Sequence, residues 1–194
     1  ALYLQYNNSD TETLYTAEML GIPANSKILS VSFDGYCETE KEVTPEITVL
    51  LENTEATEPY AEAAAAISPA AEEFFHGTVT LNQTGAWNRT DELLHFENPD
   101  GFLYTGKSLR VALRSRGNRN SDFFFTADAT QRNRSIYRYW NRGAEGDWEL
   151  NPTGMPVMRI TYKAPVTGVE SVVTGLADGS LSVCTEAGAA VFTA

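Results

Sequence analysis

Apolar and polar residues alternate with a period of two along most of this chain. In "KILSVSF", residues 27–33, Ile28, Ser30 and Ser32 fall on one face and Leu29, Val31 and Phe33 on the other. "EITVLLEN", "GTVTLN", "LLHFEN", "SLRVALRSR", "DFFFTAD", "SIYRYWN" and "PVMRITYK" follow, each bounded by Gly, Pro, Asn or Asp. Such runs, rich in β-branched and aromatic side chains and closed by turn residues, predict strands. Their short, regular spacing and the lack of long 3.6-residue periodicity point to an all-β protein. The expected architecture is an antiparallel β-sandwich, jelly-roll-like, with one short helical crossing loop.

Two segments break the alternation. "TAEMLGIP" predicts one helical turn, with Thr16 as its cap and Gly21 and Pro23 ending it. "EPYAEAAAAISPAAEEFF" carries an alanine-rich run bracketed by Pro59 and Pro69, and predicts a crossing loop with a turn or two of helix. The sandwich is expected to cover residues 1–163. "KAPVTGVESVVTGLADGS" then reads as a linker over 164–179, and residues 180–194 as an incomplete terminal hairpin. A lone hairpin is marginal in water, so this tail requires a surface to dock on or further chain to join.

The densest chemistry lies in "QRNRSIYRYWNRGAEGDW", residues 131–148. Within "RSIYRYWN", Tyr137 and Tyr139 share one face while Arg134, Ile136, Arg138 and Trp140 share the other. Both faces therefore carry rings, and one face displays them outward unless a neighbouring loop covers it. A guanidinium over an indole contributes about 0.5–1 kcal/mol at an exposed site. The following loop, "NRGAEGDW", adds Asn141, Arg142, Asp147 and Trp148. Aromatic faces for the C–H surface of a sugar, flanked by hydrogen-bonding side chains, are what a glycan site needs. Arg134, Tyr137, Arg138, Trp140, Arg142 and Trp148 are the candidate ligand-binding residues. The competing reading makes Trp148 a cap on the core and Trp140 packing beneath a loop. In "SLRVALRSR", Leu109, Val111 and Leu113 face inward and Arg110 and Arg114 form a basic outer face.

Charge narrows the partners. The net charge of −12 argues against nucleic acid, whose phosphates need clustered Lys and Arg. The distribution is uneven: residues 1–100 hold 18 acidic and 3 basic side chains, whereas eight arginines lie from Arg110 to Arg142. Pairing across strands accounts for part of that asymmetry. No apolar run is long enough to span a bilayer. Cys37 and Cys184 are too few for a thiolate zinc site; Cys37 reads as a small buried hydrophobe, with a bond to Cys184 as the alternative.

No catalytic motif emerges. The Gly-x-Ser-x-Gly elbow is absent, and His76 and His95, the two imidazoles, have no accompanying partner pattern. "NNSDTE" and "NPDGF" lack the ordered spacing of a calcium loop, and Asn-Pro-Asp-Gly is first a turn. The expectation is a protein without enzymatic activity, metal or cofactor.

Two pieces resemble exported surface proteins of gut and oral Bacteroidetes. "TLYTAEMLGIPANSKILSVSFDGYCETEKEVTPEITVLLENTE" is similar to the opening of a recurring adhesin-like β-sandwich module, continued here by "GTVTL" and by "ENPDGFLYTGKSLRVAL", with Phe102, Tyr104 and Gly106 entering a buried strand. "TGVESVVTGLADGSLSVCTEAGAAVF" is similar to the start of the C-terminal sorting or anchoring-type domains that follow such modules. The resemblance implies an exported protein, secreted or at the cell surface, serving adhesion or glycan binding. Its partners would be a glycan or a host or bacterial surface protein. The alternatives are a structural spacer or assembly domain of a larger surface protein, and an accessory domain of a polysaccharide-degrading enzyme.

Overall fold

The alternating runs become two antiparallel sheets packed face to face. The computed structural model describes residues 6–39, 42–82, 89–117, 121–165, 182–186 and 189–193. In chain order the elements are β1 (Asn8–Tyr15), α1 (Ala17–Leu20), β2 (Ser26–Thr39), β3 (Glu46–Thr54), β4 (Glu72–Thr78), β5 (Thr90–Tyr104), β6 (Ser108–Arg116) and β7 (Ser121–Phe125). There follow β8 (Ala127–Asp128), β9 (Ser135–Trp140), β10 (Glu149–Leu150), β11 (Met155–Pro156), β12 (Met158–Lys163), β13 (Ser182–Glu186) and β14 (Ala189–Thr193). One sheet runs β10-β9-β1-β6-β3-β4; the other runs β12-β2-β5, with β7 against the far half of β2. Apart from the β3–β4 pair, successive long strands change sheet, as in a jelly roll. Between the sheets lies a core of inward side chains that includes Ile28, Val31, Phe33, Val49, Leu51, Leu94, Phe96, Val111 and Phe123, all essentially inaccessible to water.

Strict alternation misplaces one residue. Ile28 pairs with Phe102 and Ser30 with Glu97, so residues 98–101 bulge out opposite Leu29 alone. Asn98 Oδ1 accepts the N–H groups of Asp100 and Gly101 at 3.0 and 3.2 Å, closing the turn that "NPDG" predicts. Gly101 adopts φ +69°, which a β-carbon would strain. The bulge reverses the phase of β2, and Ile28 joins Val31 and Phe33 in the core rather than opposing them.

Further along β2, Asp34 ties a corner together. Arg159 of β12 donates to both its oxygens at 3.0 and 2.9 Å, and the Glu92 N–H donates at 2.9 Å. Arg89 adds a further ion pair. These hydrogen bonds, Arg159's first, hold the buried Asp34 carboxyl well below the usual carboxylate range against the opposing effect of desolvation. At the next position a β-carbon on Gly35 would stand 2.4 Å from the Phe124 carbonyl, so β7 can lie this close only to glycine.

The helical turn α1 forms as the spacing predicts: the Met19 N–H donates to Thr16 Oγ1, and Gly21 ends it at φ +61°. The alanine-rich crossing does not. Residues 55–71 contain no α-helix, and β4 begins at Glu72, five residues before the predicted "GTVTLN" strand; Leu81 instead makes an isolated bridge to Val43. Side chains of the underlying sheet take over the backbone groups a helix would use. Glu12 Oε2 accepts the N–H groups of Ala66 and Ile67 at 2.9 and 3.1 Å, Glu52 accepts that of Ser68, and Arg110 donates to the Ala66 carbonyl at 2.8 Å. The crossing is a strap laid over the outer face of the larger sheet, and tertiary hydrogen bonds override its helix propensity. Beneath it Leu14, Ala112 and Ile136 are buried apart from the main core. Arg110, predicted to face water, is buried there too, paired with Glu52 at 2.8 Å. Arg114 is exposed.

β13 and β14 pair with each other, Val183 opposite Phe192. Most of the predicted linker, residues 166–179, lies outside the described residues, as do 180, 181, 187, 188 and 194. Cys37 is buried at the end of its apolar stretch. Among the described residues, no helix is long and apolar enough to cross a membrane.

Candidate functional site

β9 carries the aromatic residues singled out above, and its place in the sheet decides what each face meets. It pairs with β1 on one side and β10 on the other: Asn8 lies opposite Trp140, Asp10 opposite Arg138, Thr11 opposite Tyr137, and Glu149 opposite Tyr137. Ile136, Arg138 and Trp140 therefore point to the outer face with Asp10 and Glu12. Tyr137 and Tyr139 point to the inner side, as the alternation predicts.

The outer face holds a stack of guanidinium and indole groups. The guanidinium carbons of Arg116 and Arg138 each lie 4.9 Å from the centre of the Trp140 ring, and that of Arg138 lies 4.7 Å from Trp148. Asp10, with only 3% of its side chain exposed, holds the stack from below. It accepts from Arg138 Nε and NH2 at 2.9 and 2.8 Å, and from Arg116 NH1 at 2.6 Å. Glu145, on the exposed loop after β9, reaches back to the remaining Arg138 nitrogen. Both guanidinium groups are thus neutralised within the molecule. Nearby, Glu12 is buried, and burial raises its carboxyl above the ordinary value despite the N–H groups of the strap and the charges of Arg110 and Arg114.

The inner side is different in character. The Tyr137 and Tyr139 rings lie nearly parallel, 6.3 Å apart and 9° from coplanar, and Tyr6 packs on Tyr139 at 4.2 Å. Across from them, Phe124 of β7 stacks on Tyr36 at 4.9 Å. Between the two groups opens a cleft of 420 Å³ lined by Phe124, Phe125, Ala127, Tyr137, Asn151, Pro152, Thr153 and Pro156. The Tyr137 hydroxyl donates to Glu149 at 2.8 Å, fixing the ring at the sheet edge. At the rim, Asn151 Oδ1 accepts the Thr153 N–H at 3.1 Å and its hydroxyl at 2.7 Å. That pair of donors orients the Asn151 amide. Its Nδ2 makes no hydrogen bond among the described residues.

The six candidate residues therefore fall in different places. Arg138, Trp140 and Trp148 come together in the outer stack, and Tyr137 lines the cleft on the opposite face. Arg142 is exposed on the loop after β9. Arg134 lies away at the end of the sandwich beside α1, where it donates to Gln131 Oε1 and to the Thr57 carbonyl and borders a 710 Å³ polar recess with Glu18, Glu55 and Lys107. The three candidate arginines thus occupy three separate locations. Asp10, Arg116, Phe124, Asn151 and Thr153 join these places from outside the candidate residues. The charge complement of the Arg134–Arg142 cluster in the preceding half of the chain was the available signal for Asp10.

His76 shares a 2.9 Å hydrogen bond with Thr48, and His95 lies 3.1 Å from Glu97; both are well exposed on sheet surfaces. Among the described residues, no three His, Cys, Asp or Glu side chains converge to hold a metal ion. Comparison with known protein families, with curated proteins and with solved structures finds no match to this chain.

Proposed function

We propose that this chain is a non-catalytic, exported surface module that binds a glycan in adhesion. The observation that carries the reading is the aromatic cleft between Tyr137 and Phe124. Its rings are held by neighbours on their own sheets, Tyr139 and Tyr36, so that the space between them stays open. A 420 Å³ cleft with a few placed polar groups falls within the range of small-ligand sites. Pre-positioned rings lose little freedom when a sugar stacks on them, which favours binding without movement of the backbone. The expected mechanism is equilibrium capture through stacking and hydrogen bonds.

The outer stack favours the second reading, a structural spacer or assembly domain, because its charges are already met internally. An immobilised glycan array probed with the purified chain separates the two. Saturable binding to one glycan class supports the binding module. A flat response across host and dietary glycans leaves the spacer reading ahead. The accessory-domain reading shares the cleft and predicts binding to the polysaccharide cut by a companion catalytic domain.

A further inference from the structure

We infer that the cleft takes an uncharged sugar ring, and that the arginine–tryptophan stack takes no part in binding it. This rests on the glycan-binding reading and narrows it. Among the described residues, no Asp, Glu, Lys or Arg lines this cleft, and the ionisable group on the wall they form is the Tyr137 phenol. A carboxylate or sulfate placed there would lose hydration without gaining a cation. A neutral ring gives up only hydroxyl hydrogen bonds, and the rim can replace them. Asn151 Nδ2 is a donor aimed by the fixed orientation of its amide. The Thr153 hydroxyl spends its proton on Asn151, which leaves its oxygen as an acceptor. One donor beside one acceptor matches a sugar hydroxyl, which accepts and donates at once. The Tyr137 and Phe124 rings supply apolar faces for the ring's C–H surface.

The outer stack has the opposite character. Its cations already face Asp10 and Glu145, and they lie over the rings a sugar would stack on: Arg116 and Arg138 over Trp140, and Arg138 over Trp148. Charge therefore separates the two faces.

The test is isothermal titration calorimetry with neutral oligosaccharides (cello-, xylo- and manno-series) and with charged ones (chondroitin sulfate, polygalacturonate), in about 20 mM and about 500 mM NaCl. The inference expects binding of a neutral series with an affinity unchanged by salt. Tyr137→Ala and Phe124→Ala each weaken it about tenfold or more, a loss of about 1.4 kcal/mol. Tyr137→Phe, which keeps the ring, stays within about threefold, and Trp148→Ala within about twofold. Near-ultraviolet circular dichroism confirms that each variant is folded, and having one variant in each sheet guards against a local distortion at either strand. Salt-sensitive binding of the charged glycans alone, lost in Trp148→Ala, overturns this inference and leaves the glycan-binding reading standing. No heat with any series removes both.

Discussion

The two faces of β9 both carry aromatic rings and reach opposite outcomes. On the outer face, Arg138 lies over Trp140 and Trp148, with Asp10 below and Glu145 above, and every charge has a partner. On the inner face, Tyr137 and Tyr139 stack along the strand, and a cleft opens in front of Tyr137. The lesson is that an arginine-rich aromatic segment is not by itself a binding surface. What matters is whether the neighbouring strand supplies counter-charges, and β1 supplies them to one face only. A stack of this kind is held by cation–π contact and by paired charges that are costly to separate once buried, whereas the cleft leaves its wall without such packing.

That contrast can be broken most forcefully at Asp10. Asp10→Ala leaves Arg138 and Arg116 without their shared carboxylate and should destabilise the fold by about 3 kcal/mol, read from urea denaturation. A cost below about 0.5 kcal/mol would mean that the pair is no more than a surface contact. Trp148→Ala, which uncovers one side of Arg138, should cost about 1–2 kcal/mol by the same measurement. Tyr137→Ala should cost less, about 1 kcal/mol, because its ring faces a cleft rather than a packed interior; a larger loss would show the tyrosines to be core.

Two further effects are read from the pH dependence. Burial raises the Glu12 carboxyl, so the stability linked to its protonation is present below its unfolded value of about 4.3 and is lost as pH rises through the higher folded value. Glu12→Gln should flatten that decline and change stability near neutrality by less than about 1 kcal/mol. Asp34 acts in the other direction. Its lowered value contributes stability above the unfolded range of about 3.9, lost as pH falls through the folded value. Acid unfolding followed by circular dichroism should therefore begin at higher pH and become shallower in Asp34→Asn. An unaltered acid limb would rule Asp34 out as its source.

Period-two alternation made most strands legible, because their inward residues are apolar and their outward ones polar. β6 matches its predicted span, Ser108–Arg116. β1 escaped notice for a physical reason. "NSDTETLY" is polar on both faces, yet seven of its eight residues are buried. Ser9, Thr11 and Thr13 pack inward as small hydroxyl residues, while Asp10 and Glu12 are buried by ion pairing and by the strap. Burial through paired charge leaves no hydrophobic pattern to read. The strap departs from its helix propensity because the local sequence carries no trace of Glu12, Glu52 and Arg110, which lie 16 to 55 residues from the backbone groups they bind. Of the site, the sequence revealed which rings share a face of β9. It could not reveal Phe124 or Asn151, because those reach Tyr137 only through tertiary contact.

The register of the outermost attachments also sets how the sandwich would carry load. β1 begins at Asn8, opposite Arg116, and is clasped between β6 and β9; β12 ends at Lys163, opposite Lys27, at the other end of the strands. Tension applied between these two points would run along the strands. It would shear the β1 and β12 ladders with their hydrogen bonds loaded together, rather than unzip them one by one. Held at such points, the sandwich would resist extension by cooperative rupture, and unfolding at low force in a single-molecule ramp would contradict that load path.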